Sequence, residues 1–176
     1  AQPFQTDKEL WQNAKVMEAF VKTMGKRIGP KSGTDKMFVI DGEPDAMAAQ
    51  YGEYFNYFIL QAYNSSGNSD LNSRFTAQAT HFQQYLTPEQ VANKLIVCEN
   101  FENYAGKGGV TFRLDNGTTV PSLLGMAYWN PVYNGVTYRK GGVGTYHMEY
   151  EYTVSGQTGN YPFLRKAIQI MNPSIQ

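Results

Sequence analysis

The chain has a single cysteine, Cys98, so no disulfide can form within it and the redox compartment stays unread. The thiol reads as a small core residue. No charge of one sign prevails: fifteen Lys and Arg against fifteen Asp and Glu give a formal net charge of zero. With no basic stripe either, nothing draws the protein to nucleic acid or to an anionic membrane, and a neutral ligand is indicated. Only two histidines occur, His81 and His147. They lack the spacing of metal ligands and read as structural or exposed, so neither a metal nor a cofactor is called for. No apolar stretch approaches the ~20 residues of a membrane-spanning helix. No internal repeat, low-complexity tract or linker divides the chain, and residues 1–176 read as one domain. The first residue is Ala1 rather than Met, which fits either a removed leader or a piece of a longer protein.

Aromatic residues, by contrast, are plentiful. Ten Phe, thirteen Tyr and two Trp are the side chains that disordered chains are poor in, so a packed core is indicated. From Asp7 to Lys26 the apolar residues Leu10, Trp11, Ala14, Met17, Phe20, Val21 and Met24 recur at intervals of three and four, the stripe of a helix stopped by Gly25 and Gly29-Pro30. The run "KMFVID" (residues 36–41) is too short for a helix and reads as a buried parallel strand. "EPDAMAAQYGEYF" follows as a helical turn or two. Tyr57 to Tyr63 is the next strand, and "NSSGNSD" its exit loop. A helix over Leu71 to Tyr85, a capped turn at "TPEQVANK" and a strand "LIVCEN" continue the alternation. Asn116-Gly117 marks a hairpin in "GVTFRLDNGTTV", "SLLGMAYWN" is helical, and a last strand in "GTYHMEYEY" precedes a helix from Pro162 to Met171. Strand and helix alternate four times, which predicts a parallel sheet with right-handed crossovers.

Parallel sheets place functional groups at the carboxyl ends of their strands. Asp41, Gln61 with Tyr63, Glu99 with Asn100, and Glu149 with Glu151 fall at or near such ends. A buried polar group costs about 1 to 3 kcal/mol unless paired, so four strands carrying them in succession indicate a site or a structural hydrogen-bond network.

At these residues the sequence resembles glycoside hydrolase family 18. "MFVIDGEPD", "YFNYFILQAYN", "IVCENFE" and "KGGVGTYHMEYEY", in this order, are similar to the second half of the family's barrel, and most similar to its bacterial endo-β-N-acetylglucosaminidase-like branch. The resemblance runs from Asp7 to about Pro173, and its sharpest element is the Gln-x-Tyr pair Gln61-Ala62-Tyr63. It implies an α/β fold, the carboxyl-terminal half (strands five to eight) of a TIM (β/α)8 barrel. It also implies substrate-assisted hydrolysis of N-acetylglucosamine-containing glycans, with the substrate's 2-acetamido oxygen as nucleophile. Gln61 and Tyr63 are then the catalytic pair that orients the acetamide. Asp41, Asn64, Glu99, Asn100, Trp129, Glu149 and Glu151 are the candidate substrate-binding groups. The family's general acid belongs to a DxxDxDxE-type motif ending the fourth strand, and nothing in this chain matches it. "DGEPD" (residues 41–45) ends what would be the fifth strand and has the wrong spacing. The chain is therefore expected to be inactive alone, and to need the amino-terminal half of the barrel or another chain to cover its open edges. A secreted or cell-surface location is what the family implies.

Other signals stay open or bland. "GGVGTY" (residues 141–146) reads as a tight turn entering a strand and not as a dinucleotide loop. Tyr128, Trp129 and Tyr133 either stack on sugar rings or pack over the barrel mouth. A glycosidase and a glycan-binding barrel without its acid remain the two leading functions, ahead of a structural module.

Overall fold

The computed structural model describes residues 13–102, 104–152 and 160–173. The first helix, α1, spans Ala14–Gly25 and is capped by Asn13, whose side chain accepts from the Val16 N–H at 3.2 Å. Leu10 and Trp11 of the predicted helix lie outside the described residues. Met17, Val21 and Gly25 are buried, as the three-and-four spacing requires. Phe20 is 40% exposed and meets Phe38 only edge-on, with ring centres 6.1 Å apart.

Four strands follow: β1 (Val39–Gly42), β2 (Tyr57–Gln61), β3 (Leu95–Asn100) and β8 (Gly142–Tyr146). They form one sheet in that order, every pair parallel. The expected order and direction are therefore present. The strands are shorter than the apolar runs suggest: β1 begins at Val39 and β2 ends at Gln61. Between β1 and β2 the chain makes two 3-10 turns, Pro44–Ala46 and Ala49–Tyr54. Helices α2 (Asn68–Phe82) and α3 (Pro88–Lys94) return it to β3, α3 opening on a capping box between Thr87 and Gln90. After β3 comes the hairpin β4 (Thr111–Arg113) and β5 (Thr119–Pro121), turned at Gly117 with φ +83°. Helix α4 (Ser122–Tyr128), a small hairpin β6 (Val132–Tyr133) and β7 (Val136–Thr137), β8, a four-residue helix α5 (Glu149–Tyr152) and α6 (Pro162–Met171) complete the described chain.

Side chains alternate across a strand, and the register sorts them into two faces. Ile40, Phe58, Leu60, Leu95 and Val97 point to the helix-covered side and are at most 4% exposed. With Phe75, Phe82 and Phe112 they make the main core. The opposite face carries Val39, Asp41, Ile59, Gln61, Ile96, Cys98 and Asn100, then Gly142 and Gly144 of β8. That face is open: most of its side chains are only half-buried.

The last strand differs from the sequence reading. "GGVGTY" is itself the strand, not a turn entering one. The strand stops at Tyr146, because His147 adopts φ +60°, a left-handed conformation that no extended strand accommodates. Glu149 and Glu151 consequently sit on α5 and not on a strand.

Candidate functional site

The parallel register brings the end of β2 between β1 and β3. Gln61 pairs with Cys98 on one side, and Asp41 of β1 lies on the same face. The Gln61 amide Nε2 donates to both carboxylate oxygens of Asp41, at 3.3 Å each. These are long bonds, shared between two acceptors, that orient the amide against the carboxylate.

Tyr63 lies two residues past Gln61 in the turn that leaves the strand. The chain turns at Asn64, with φ +61°, a region that Asn tolerates better than most residues. The phenol nonetheless comes to the open side. Its ring centre is 6.3 Å from that of Tyr146, the residue that β8 pairs with Asn100. Burial, and then the neighbouring Cys98 and Asp41, push the Tyr63 phenol well above its ordinary range. The shift keeps the phenol protonated, so its hydroxyl is able to donate a hydrogen bond. The same burial pushes the Cys98 thiol up to about 12, so it is inert.

Four of the candidate residues are placed otherwise than the sequence suggests. Glu99 points to the helix-covered side and is wholly buried. Its carboxylate accepts the backbone N–H groups of Asn64 (3.3 Å) and Asn100 (2.8 Å) and the hydroxyl of Ser122. It ties the ends of β2 and β3 to the start of α4 and is not presented to a ligand. Trp129 is 2% exposed, its indole N–H donating to Asn72 at 2.9 Å, so it packs in the core instead of lining a mouth. Glu151 is buried, and its carboxylate accepts from the N–H groups of Phe163 and Leu164. Glu149 is exposed and pairs with His147, Oε1 to Nδ1 at 2.6 Å. Asn100 stays on the open face, its Oδ1 accepting the Glu102 N–H at 2.7 Å, and Asn64 is exposed at the tip of the turn.

The structure adds Tyr146 to this cluster, 44% exposed beside Tyr63. Its signal in the sequence is its place in "GTYHMEYEY", where strand alternation alone does not single it out. Gly144, next to Cys98, carries no side chain, and a Cβ there meets only Ile96, at 3.8 Å. Gly144 thus leaves room on this face beside Cys98. A cavity of about 660 Å³ opens elsewhere, lined by Tyr128, Asn130, Arg139, Lys140 and Ile170 among others. Arg139 and Lys140 precede β8, and none of the strand-end groups lines this cavity. Since parallel sheets work at their carboxyl ends, the Gln61 cluster is the better candidate site. Among the described residues no group of His, Cys, Asp and Glu is arranged to hold a metal ion, and no helix is long and apolar enough to cross a membrane.

A four-stranded parallel sheet, helices packed on one face and polar groups gathered at the strands' carboxyl ends define an α/β protein with a strand-end site. Residues 2–170 match the family described as glycoside hydrolase family 18, BT1044-like, and the chain belongs to that family. It is 29% identical over 164 residues to endo-β-N-acetylglucosaminidase F2 of Elizabethkingia meningoseptica, the match covering 88% of this chain and 45% of that protein. A solved structure of a BT1044 selenomethionine variant superposes with a TM-score of 0.70 at 27% identity, over 90% of this chain and 45% of that one. The endo-β-N-acetylglucosaminidase of Cordyceps militaris, in a variant bound to fucosyl-N-acetylglucosamine-Asn, shares the fold with a TM-score of 0.62 at 23% identity, over 92% and 53%. The chain spans about half the length of the relatives it matches.

Proposed function

We propose that this chain is the carboxyl-terminal half of a (β/α)8 barrel, and that the barrel hydrolyses N-acetylglucosamine-containing glycans with the substrate's own acetamide as nucleophile. The reading rests on one observation above all: the amide of Gln61 and the phenol of Tyr63 stand together on the open face of the sheet, with Asp41 orienting the amide. An acetamide presents one carbonyl and one N–H. A fixed amide and a phenol held protonated are the groups that grip it while its oxygen turns toward the anomeric carbon. Asp41 keeps Gln61 in place, and Asn100 and Tyr146 border the same space. The general acid comes from the half that supplies the first four strands, which also covers the open face. Large polar glycans do not cross membranes unaided, so this reading puts the protein outside the cell or at its surface.

Gln61→Ala or Tyr63→Phe in the complete barrel lowers turnover of an N-acetylglucosamine-linked substrate by more than tenfold, as loss of a transition-state hydrogen bond does. A second reading is a non-catalytic glycan-binding barrel, the case in which the half that supplies the first four strands carries no general acid. In that case the same substitutions weaken glycan affinity and there is no turnover to lose. Turnover and affinity both unchanged reject the site.

A further inference from the structure

The cavity of about 660 Å³ lies apart from the strand-end site, and it collects cations. It opens between the end of α4, the segment that leads into β8 and one face of α6. Lys166, Gln169 and Ile170 line it from α6, at the spacing that puts side chains on one helix face. Arg139 and Lys140 line it from the approach to β8. The lining thus holds three Lys and Arg and no Asp or Glu. Lys140 is only 4% exposed, and two of its three N–H donors go to the carbonyls of Ala127, at 2.9 Å, and Trp129 at the carboxyl end of α4. Those bonds cap the helix but supply no anion. Among the described residues Arg139, Lys140 and Lys166 enter no ion pair. Burial, and then the like charge of Arg139, lower the Lys140 ammonium to about 8, as befits a buried cation that faces another cation and no carboxylate.

We propose that this cavity binds a small oxyanionic ligand, one bearing a phosphate or a carboxylate, which Arg139 and Lys166 grip together with the remaining N–H of Lys140. A guanidinium fork beside an ammonium is the donor set that recognises such groups. The amides of Asn130 and Gln169, in the same lining, suit the hydroxyls that a sugar phosphate or sugar acid carries next to its charge. Arg139 and Lys140 precede β8, whereas Tyr146 ends it, so the cavity and the Gln61 cluster belong to opposite ends of the strand. The ligand is therefore a second one, distinct from whatever Gln61 and Tyr63 hold. The inference is independent of the function proposed above.

The test titrates the full-length protein by calorimetry at neutral pH and low salt with inorganic phosphate, glucose 6-phosphate and glucuronate, and with glucose as the neutral control. At least one of the anions binds with a dissociation constant of about 1 mM or tighter, and glucose does not. Arg139→Gln and Lys166→Gln, both at exposed positions where folding tolerates the change, each weaken that anion by about threefold or more, as loss of a charge-assisted hydrogen bond does. Arg165→Gln removes an exposed cation of α6 that does not line the cavity, and it leaves the affinity unchanged. Glucose 6-phosphate bound more tightly than glucuronate assigns a phosphate, and the reverse order assigns a carboxylate. No anion bound more tightly than glucose, or an equal loss in Arg165→Gln, overturns the site. Either result leaves Gln61 and Tyr63 untouched, because their substitutions are read by glycan turnover and affinity.

Discussion

The open face of the sheet holds two groups whose protonation is set by burial, Tyr63 and Cys98, and their sign makes a prediction about alkaline pH. The Cys98 thiol is pushed up from 9.0 to about 12, by burial first and then by the charges of Asp41 and Glu99. In the unfolded chain the thiol releases its proton first. Its contribution to stability is therefore complete below the ordinary thiol value and is lost as pH rises through about 12. Lys140 works in the opposite sense: burial and Arg139 lower it to about 8, so the folded state loses that proton before the unfolded one. A comparison with Cys98→Ala separates the two, since the small cavity it leaves costs the same at every pH. The parent's urea midpoint should decline relative to that of Cys98→Ala between pH 9 and pH 11. Curves that stay parallel would mean that the thiol is not desolvated as the structure has it.

At the scale of elements, the close packing of α4 makes a second prediction. A Cβ added at Gly125 comes 2.2 Å from the ring of Phe112, which is wholly buried between β4 and the helix. Alanine is the better helix former by about 1 kcal/mol, yet overpacking a closed site costs about 1 to 3 kcal/mol. Gly125→Ala should lower the thermal midpoint by a few degrees, and adding Phe112→Leu should recover part of the loss. A raised midpoint for the single variant would show that the ring moves aside freely. This contact also marks what the sequence could and could not reveal. The strands β1, β2 and β3 were legible because each is a short unbroken apolar run bounded by polar residues, and Gln61 because it interrupts one. The end of β8 was not: "GTYHMEYEY" alternates as a strand should, and nothing local announces that His147 turns left-handed. That one dihedral moves Glu149 and Glu151 from the sheet to a helix. Trp129 was likewise illegible, since it is buried by packing in the main core and its indole partner, Asn72, is 57 positions away. Glu99 was found at a strand end, but the face it points to is fixed by the register with its neighbours.

For the whole molecule, the sheet is closed on one side only. Among the described residues β1 pairs with β2 alone and β8 with β3 alone, so both edges present unpaired backbone groups. The face bearing Gln61 also shows half-buried Val39, Ile59 and Ile96. Unpaired edges join other edges, and an apolar face in water favours association. The isolated chain should therefore sediment as oligomers or larger species whose size grows with concentration. The cause can be tested within the same chain, because Ile59 and Ile96 are partners in the register and point away from the main core. Replacing both by lysine places like charges on the open face, where solvent can still reach them, and leaves the helix-covered core intact. That variant should shift toward the monomer in sedimentation velocity while keeping a cooperative urea transition. If the unaltered chain is already a monodisperse, cooperatively melting monomer at high concentration, the open face needs no cover, and the proposal that a second set of strands completes a barrel over it loses its physical ground.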